Sequence, residues 1–568
     1  MTTVKVPSGA TVPADPPQTR PAPGSARTAW FDALVLAAAA LAMRVAQLDH
    51  NPFVDELNHV LAARSLLEDG TLYIGAGGEA YERARLFTYA VAGVFRLLGE
   101  SLVAARIPSV IAGVALIVGV YLWTRSVSSR LAGLIAATLL MVDPQSYYLS
   151  QLARFYTLHA LLFFLAAISL HGLFAAASSG RTGRVLALVA AALASLALAL
   201  HFQATTLIGA MGLILWLAYE TREPVARWLT LRTRLLILVA LAAIGIAFLL
   251  SPEGRGAVAA FTRANHVWAQ ETRYTLHYYF ILLAERHPTV WTLFPLLLPI
   301  ALLRYGRPAR LCAFVFVTAI VLHSLAAQKT ERYLHYAIPM LFIIVGMGVS
   351  VAVNWMHEYA VGWLRSRYAL GLPSARRLAG VGVAGLVAFA AAGNAGFVYT
   401  YRMVTTDDAS WRIQHVPLRG EPSWGRAAAA LRPLVDSSSV VMASTGLKAT
   451  YYLGRVDVVL NRDDVRNETL EREEFAPNTK VGVPVIGELD SVEAVFRCHE
   501  SGLVLVEDAH WRQDGYVPPA VADFLSANAR EIDLPRDWRL RVFHWSRQDP
   551  ESGDGLQDCG RFSSGRVM

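Results

Sequence analysis

The sequence has few charged residues. Asp, Glu, Lys and Arg make up 17% of its 568 residues, whereas hydrophobic residues make up 54%. An average soluble protein has about 25% charged residues and a smaller apolar fraction. This composition argues against a soluble multidomain protein and favours an integral membrane protein with several spans.

Lysine is almost absent. It occurs only at positions 5, 329, 448 and 480, so arginine carries nearly all of the basic charge behind the formal net charge of +7. No basic stripe with interleaved aromatic residues is present, and we therefore expect no nucleic-acid partner. An Arg-rich, Lys-poor and Ala-rich composition is typical of GC-rich bacterial genomes, so we expect a bacterial inner (plasma) membrane protein.

Cysteine is also scarce, with three residues that allow one disulfide at most. Cys312 lies in an apolar run, which leaves Cys498 and Cys559 as the plausible pair. They would form a disulfide if the C-terminal region faces an oxidising compartment. Free thiols remain the alternative.

Long apolar runs divide the first 400 residues into membrane spans. Residues 1–28, rich in Pro, Ala, Thr and Ser, are predicted to form a disordered cytoplasmic tail. Residues 29–400 are the predicted transmembrane domain, with a first loop at 49–103 and a long outside loop at 251–288. An amphipathic segment at 86–98 is predicted to be an interfacial helix. A membrane helix needs roughly 17–25 apolar residues, which gives about eleven spans, at 30–48, 104–124, 131–149, 155–176, 185–200, 203–219, 235–250, 289–303, 309–327, 333–353 and 379–398.

Arginines are concentrated in every second loop between these spans. The rich loops hold the arginines at 125 and 130, 181 and 184, 222 to 234, 304 to 310, and 365 to 377, while the intervening short loops hold few. An excess of arginine marks cytoplasmic loops. The pattern places the N-terminus in the cytoplasm and everything after about residue 399 outside.

The composition changes from about residue 410. Strand-like runs at 439–443, 456–460, 503–507 and 539–545 alternate with helix-like segments. This alternation predicts a small extracytoplasmic α/β domain over 410–568. Because it contains no recognisable catalytic constellation, it would either bind an acceptor or support the helical bundle.

Two adjacent carboxylates, Asp55 and Glu56, follow the first predicted span, and His59 comes one helical turn later. Ionisable groups at membrane depth are costly and are functional candidates by default. We therefore predict that Asp55 and Glu56 are catalytic and that His59 binds substrate. Helix capping by Asp55 is the alternative, but capping needs neither Glu56 nor His59.

Cationic and aromatic residues occur in loops predicted to lie on the same side of the membrane as Asp55. Arginine and lysine near a lipid phosphate act as anion clamps. The predicted phosphate-binding residues are Arg83, Arg85, Arg154, Lys329 and Arg332, and the further predicted substrate-binding residues are Tyr156, Tyr333, His335 and His266. Anchoring of helix ends would explain one or two of them. The aromatic loop around His266 is either an interfacial belt or a lid over a substrate groove.

The stretch from Gly75 to Ala80 fits the G-x-G-x-x-A pattern of dinucleotide-binding loops. That pattern requires a preceding strand and a parallel βαβ unit. Here it lies in a loop between membrane segments, so a turn is the better interpretation.

Several short motifs together resemble those of a known superfamily. They are Asp55-Glu56 with the helix to Gly70, Arg83-Ala84-Arg85-Leu86-Phe87, Ala105-Arg106-Ile107-Pro108-Ser109-Val110-Ile111-Ala112-Gly113, Arg154-Phe155-Tyr156 and Glu331-Arg332-Tyr333. In their order and spacing the chain resembles the GT-C membrane glycosyltransferases, and in particular the group of protein O-mannosyltransferases and lipid A aminoarabinose transferases. The resemblance covers about residues 30–350 and is strongest over 53–160.

This resemblance implies a polytopic helical bundle of GT-C type that transfers a sugar, with inversion, from a polyprenyl-phosphate donor on the extracytoplasmic face. It implies that Asp55 is the general base and that Arg83 lies near the donor phosphate. Related transferases often have Lys-Pro-Pro-Leu where this chain has Arg83-Ala84-Arg85-Leu86. Arg85 therefore has no counterpart in the family.

The chemistry suits these residue types. A carboxylate deprotonates an acceptor as attack proceeds, and cations stabilise a departing lipid phosphate. The expected partners are a polyprenyl-phosphate-linked sugar, the lipid bilayer, and an acceptor that is a glycan, a lipid or a protein. Glu56 and His59 are conceivable ligands for a divalent cation, but two or three such ligands are too few to predict a metal site. A transporter or flippase of a lipid-linked anion is the alternative function, and an inactive assembly scaffold is a weaker one.

Overall fold

The structure is a computed structural model. It describes residues 24–75, 77–228, 261–262, 275–368, 370–405 and 421–546. Most of the predicted tail 1–28, the predicted span 235–250 and most of the loop 251–288, including His266, lie outside these ranges.

The described part of the chain up to residue 405 is helical. A 3₁₀ turn at His335–Ala337 joins the helices Glu331–Leu334 and Ile338–Tyr368. The helices are α1 Gly24–Val45, α2 Val54–Glu68, α3 Arg85–Leu98, α4 Leu102–Val127, α5 Arg130–Met141, α6 Pro144–Ser150, α7 Tyr156–Ser178, α8 Thr182–Phe202, α9 Thr206–Trp228, α10 Tyr278–Arg286, α11 Pro288–Tyr305, α12 Arg307–Leu325, α13 Glu331–Leu334, α14 Ile338–Tyr368, α15 Leu372–Ala392 and α16 Ala395–Thr405.

Seven segments of the described chain are long and apolar enough to cross a membrane. They are Ala26–Val45, Leu102–Val127, Tyr156–Ser178, Thr182–Phe202, Pro288–Tyr305, Arg307–Leu325 and Glu331–Tyr368. Each overlaps a predicted span, while the predicted total of about eleven stays a prediction. The predicted span 131–149 is wrong as a single helix. It breaks into α5 and α6 at Asp143, whose carboxylate accepts the Ser146 N–H at 2.6 Å, and Pro144 begins the new helix.

The first half of α14 is the centre of the bundle, because all of its residues from 338 to 347 are buried. Gly346 and Gly348 bring neighbouring helices close to it. A Cβ at position 346 would lie 2.5 Å from the Ala132 carbonyl oxygen, and one at position 348 would lie 2.7 Å from Leu297. At the end of the bundle predicted to face the cytoplasm, Asp32 of α1 forms ion pairs with Arg125 and Arg130.

The first loop is folded into α2 and α3. Helix α3 is amphipathic, with Phe87, Val91 and Phe95 buried and Leu97 and Leu98 exposed. Its bounds agree with the helix predicted at 86–98.

The chain from Glu421 to Ser546 forms the α/β domain. Its six-stranded sheet has the order β3-β2-β1-β4-β6-β5, in which β1 to β4 are parallel and β6 is antiparallel to β4 and β5. Both faces are covered, since Val440 and Met442 pack with one buried cluster and Val441 and Ala443 with another. The elements are α17 Trp424–Ser437, β1 Val440–Ala443, α18 Gly446–Leu453, β2 Val458–Leu460, α19 Arg462–Asn467, β3 Val485–Ile486, α20 Leu489–Cys498, β4 Ser501–Glu507, α21 Pro519–Asn528, β5 Arg530–Ile532 and β6 Leu540–Ser546.

The predicted fold class, a mainly α membrane bundle with a small C-terminal α/β domain, is confirmed. Cys498 is disulfide-bonded, whereas Cys312 is a buried free thiol. The predicted partner of Cys498, Cys559, lies outside the described residues.

The α/β domain packs on the first loop. Leu57, Leu61 and Ile74 share a buried cluster with Leu447 and Val481. The Glu79 N–H donates to the Thr479 carbonyl at 2.6 Å. The glycine-rich stretch lies at this contact, where a Cβ on Gly78 would be 2.2 Å from the Lys480 carbonyl oxygen and one on Gly75 would be 2.4 Å from that of Val481. The small residues thus allow two backbones to touch.

Replacing Gly78 with Ala should loosen this contact. The added methyl group meets backbone atoms of Lys480, so the two segments must separate at a cost of about 1–3 kcal/mol. We expect a lower melting temperature in detergent and faster proteolysis between the two domains. Gly93→Ala in α3 is the matched control, because a Cβ there meets nothing within 4 Å. Equal stability of the two variants would contradict the proposed contact.

Candidate active site

A cavity of about 850 Å³ lies between the helical bundle and the α/β domain. Its bundle wall comes from the start of α2, the segments that precede α3 and α7, and residues 328–333. Its other wall comes mainly from the loops that follow β1, β2 and β4. Seven of the predicted site residues, widely separated in sequence, line this cavity: Asp55, Arg83, Arg154, Tyr156, Lys329, Arg332 and Tyr333.

Asp55 is held between two arginines. Its Oδ2 accepts a hydrogen bond from Arg332 Nη1 at 2.9 Å and lies 3.5 Å from Arg154 Nη2. Burial favours the neutral acid, but the charges of Arg154 and Arg332 outweigh burial and hold the pKa of Asp55 below its usual range. The side chain keeps 28% of its surface exposed, so an ionised carboxylate is available at the cavity wall. It does not cap α2.

Arg154 is the most firmly fixed of the cations. Its Nη1 donates to the Asp55 carbonyl at 2.9 Å and to the Tyr81 hydroxyl at 3.2 Å. Its guanidinium also lies 5.1 Å from the ring centre of Phe155 and 5.5 Å from that of Tyr156. Only 1% of its side chain is exposed.

Lys329 lies just before α13, and Arg332 lies within it. The Lys329 ammonium donates to the Ala326 carbonyl at 2.6 Å, and burial lowers the pKa of Lys329. The Arg332 guanidinium lies 5.8 Å from the Tyr156 ring centre and 5.9 Å from that of Tyr333. The two predicted tyrosines therefore surround the cation that binds Asp55.

Arg83 lies on the same wall but is more accessible. Its Nη2 is 3.5 Å from Gln203 Oε1, and its guanidinium is 5.6 Å from the Phe155 ring centre. Within the described part of the chain, no carboxylate forms an ion pair with Arg83. A cation of this kind is well suited to an incoming anion.

Comparison with known proteins agrees with this architecture. Residues 82–250 match the family described as dolichyl-phosphate-mannose-protein mannosyltransferase. No curated protein matches the sequence. The crystal structure of ArnT from Cupriavidus metallidurans bound to undecaprenyl phosphate is similar over 92% of this chain and 98% of that chain, with a TM-score of 0.53 and 15% sequence identity. This protein has the fold of the GT-C glycosyltransferases.

A second GT-C structure is also similar. The archaeal oligosaccharyltransferase AglB from Archaeoglobus fulgidus, in complex with an inhibitory peptide and a dolichol-phosphate, matches 86% of this chain and 70% of that chain, with a TM-score of 0.58 and 12% identity. The resemblance inferred from the sequence is thus confirmed. The family match includes Arg83, Arg154 and Tyr156, whereas Asp55 and residues 329–335 lie outside it.

Glu56 is not part of the cavity wall. Its carboxylate is completely buried and binds Arg106 in two places, with Nε at 2.8 Å and Nη2 at 2.9 Å. It also accepts the backbone N–H groups of Phe53 at 2.9 Å and Ala153 at 2.7 Å. Its position contradicts direct contact with a substrate. Glu56 instead ties the start of α2, which carries Asp55, to the residue that precedes Arg154.

Three other predicted residues also lie away from the cavity. His59 is buried behind the wall, with Nδ1 2.9 Å from the Thr88 hydroxyl, and burial holds its pKa well below the usual value. His335 is buried inside the bundle. Arg85 points outwards and pairs with Glu82 at 3.5 Å. His59 and His335 are therefore not placed to bind substrate, and Arg85 is not placed to bind phosphate. His266 lies outside the described residues.

The two residues considered as ligands for a divalent cation have other partners, because Glu56 binds Arg106 and His59 lies against Thr88. In the part of the chain that the structure describes, no group of three His, Cys, Asp or Glu side chains is arranged to hold a metal.

Sequence reasoning left the role of the α/β domain open between acceptor binding and support of the bundle, and it named none of the domain's residues as part of the site. Lys448 of α18 is 2% exposed and lies between Glu421 at 2.5 Å and Glu507 at 3.1 Å, and all three line the cavity. Burial disfavours a charged Lys448, but the two carboxylates outweigh burial and raise the pKa of Lys448. Lys480 also lines the cavity. A signal was present in the composition, because three of the four lysines of the chain lie at this site.

Proposed function

We propose that this protein is an inverting glycosyltransferase that moves a sugar from a polyprenyl-phosphate donor to an acceptor on the extracytoplasmic face. The observation that carries the proposal is the position of Asp55, an ionised carboxylate between Arg154 and Arg332 on the wall of a large cavity. Asp55 is the general base. Arg83, Arg154, Lys329 and Arg332 hold the lipid phosphate.

The reaction is a single displacement at the anomeric carbon. The acceptor hydroxyl oxygen forms a bond to that carbon while the bond between the carbon and the phosphate oxygen breaks. The electron pair of the broken bond stays on the lipid phosphate, and the hydroxyl proton goes to the Asp55 carboxylate. Attack from the face opposite the phosphate inverts the anomeric configuration.

The two arginines couple phosphate binding to the strength of the base. A donor phosphate competes with Asp55 for Arg154 and Arg332, which are the groups that hold the pKa of this carboxyl low. Weaker ion pairs raise the pKa of Asp55 and make it a stronger base when the donor is bound. As the bond to phosphate breaks, the same cations stabilise the charge that develops on the leaving group.

The similar structures support the donor class. The matching ArnT structure contains undecaprenyl phosphate and the matching AglB structure contains a dolichol-phosphate, both of which are polyprenyl phosphates. The distribution of arginine between the loops supports a cytoplasmic N-terminus. It thereby supports a cavity and an α/β domain on the outer side of a bacterial inner membrane.

A reconstituted assay tests this proposal. Purified protein in proteoliposomes would be given a panel of polyprenyl-phosphate sugars and an envelope extract as the source of acceptor. We expect release of polyprenyl phosphate from at least one donor by the wild-type protein, and none above background by Asp55→Asn. Lack of release from every donor, together with movement of labelled lipid between the leaflets, would overturn the proposal in favour of a flippase.

Arg83 and Arg85 provide a matched pair of variants. Arg83 lines the cavity, whereas the side chain of Arg85 is 54% exposed and pairs with Glu82. A charge-assisted bond to phosphate is worth about 1.5–3 kcal/mol, so Arg83→Met should raise the KM for donor about tenfold or more. Arg85→Met should change it less than twofold. Similar effects of both substitutions on donor KM would contradict the assignment of Arg83.

A further inference from the structure

The two walls of the cavity carry opposite charge. The bundle wall holds four basic residues and only two carboxylates, Asp55 and Glu331. On the side of the α/β domain, two lysines are outnumbered by five carboxylates, which are Glu421, Asp463, Asp464, Glu468 and Glu507. A lipid phosphate is attracted to the first wall and repelled by the second. The second wall, which we call the acidic wall, is therefore suited to something other than the donor phosphate.

Both lysines of the acidic wall are neutralised by carboxylates. Lys448 lies between Glu421 and Glu507, and the Lys480 ammonium lies 2.9 Å from Glu468. Neither lysine is therefore an independent anion site. An anionic acceptor on this wall would meet a net negative charge in a partly desolvated space, where repulsion is strong.

The acidic wall lies where α/β sheets usually bind ligands. Strands β2 and β4 flank β1 on opposite sides, so the chain reverses its direction of winding at β1. Ligands bind outside the carboxyl ends of parallel strands at such a switch point. The residues that end or follow these strands and line the cavity are Ser444 and Thr445 after β1, Asn461 after β2, and Glu507 and His510 at the end of β4.

The groups on this wall are suited to hydroxyls. A carboxylate accepts several hydrogen bonds and donates none, which matches the O–H donors of a polyol. His510 and Tyr516 add aromatic surface, with rings stacked at 4.3 Å. Across the cavity, Asn58 is 3% exposed, and its Oδ1 has no hydrogen-bond partner among the described residues. A buried acceptor of this kind is satisfied by an ordered water or by a hydroxyl of a bound molecule.

We infer that the acidic wall is the acceptor subsite and that it takes a neutral, polyhydroxylated saccharide. This inference rests on the proposed function and specifies the acceptor class that it left open. The saccharide lies against the carboxylates of the α/β domain and directs one hydroxyl towards Asp55. Lys480, whose charge interacts with both Asp464 and Asp55, lies between the two parts of the site.

A panel of acceptors tests the chemical class. Full-length protein in proteoliposomes with a polyprenyl-phosphate sugar would receive a neutral oligosaccharide, the same oligosaccharide with a phosphate monoester, or a serine-containing peptide. We expect transfer to the neutral saccharide and at least about tenfold less to its phosphorylated form. Preference for the phosphorylated saccharide or for the peptide would overturn the inference.

Charge reversal tests the location. Asp464 is partly exposed on the acidic wall, so Asp464→Lys should raise the KM for the neutral acceptor about tenfold or more, since a hydrogen bond to a charged group is lost. The donor KM should stay the same or fall, because the substitution removes a negative charge that repels the lipid phosphate. Asp436→Lys is the control, because Asp436 is an exposed residue of α17 outside the cavity. An unchanged acceptor KM in Asp464→Lys would overturn the assignment of the wall.

Equilibrium binding separates this inference from the proposed function. Absence of polyprenyl phosphate release from every donor would remove the glycosyltransferase proposal. Binding of the neutral oligosaccharide to the wild-type protein would still support the subsite if it is weakened in Asp464→Lys and at least about tenfold weaker for the phosphorylated form. No difference between the neutral and phosphorylated ligands would overturn it, even if Asp464→Lys fails to fold.

Discussion

Asp55→Asn should lower the rate of sugar transfer by about 10²–10⁴-fold, which is the usual contribution of a general base. Asparagine keeps the size of the side chain and can still accept a hydrogen bond from Arg332 at the position where Asp55 Oδ2 lies. It cannot take the proton of the acceptor. The loss should therefore appear in kcat, measured as initial release of polyprenyl phosphate and formation of product in proteoliposomes.

Two comparisons make this result specific. Asp49→Asn, at an exposed aspartate six residues earlier in the same loop, should keep the wild-type rate. The donor KM of Asp55→Asn should stay the same or fall, since Arg154 and Arg332 lose a negative charge that competes with the phosphate. A kcat within about threefold of wild type would remove Asp55 as the base, because base catalysis is worth far more.

The residue types alone predict both Asp55 and Glu56 as catalytic, and only the resemblance to the GT-C transferases assigns the role of base to Asp55. Successive residues of a helix point about 100° apart, so only one of two adjacent carboxylates can face a given cavity. Which one does so depends on Arg106, fifty positions away, which binds Glu56 and turns it inwards. The same limit applies to Arg83 and Arg85, because residue type does not show which of the two lines the cavity. Residue type and predicted topology bring candidates to one side of the membrane, while long-range packing decides which of them reach the cavity.

The acidic wall was beyond sequence reasoning for a related reason. Its residues follow strands whose carboxyl ends meet only because β1, β2 and β4 are neighbours in the sheet. They face Asp55 only because the glycine-rich stretch of the first loop contacts residues 479–481. Neither the order of the strands nor this contact can be recognised from a local pattern in the sequence. The helical bundle could be predicted, because hydropathy along the chain marks its spans. The one predicted span that breaks into two helices does so at Asp143, where a local capping signal begins the second helix.

Arg106→Met should cost about 3–5 kcal/mol of stability, because it leaves the buried Glu56 carboxylate without its cation. We expect a large fall in melting temperature in detergent. Arg64→Met is the control, since the pair of Arg64 with Glu100 is about one-third exposed and such surface pairs contribute at most about 1 kcal/mol. A similar loss of stability in both variants would show that the buried ion pair has no special role.

The double variant Glu56→Gln/Arg106→Met separates a positioning role of Glu56 from a catalytic one. Without a buried charge it should recover much of the lost stability, and glutamine still offers an oxygen to the N–H of Phe53 or Ala153. If Glu56 only positions Asp55 and Arg154, activity should return in part together with stability. If Glu56 itself handled a proton, the double variant would be stable but as inactive as Asp55→Asn. Because the Glu56 carboxylate is buried and accepts four hydrogen bonds, we expect the first result.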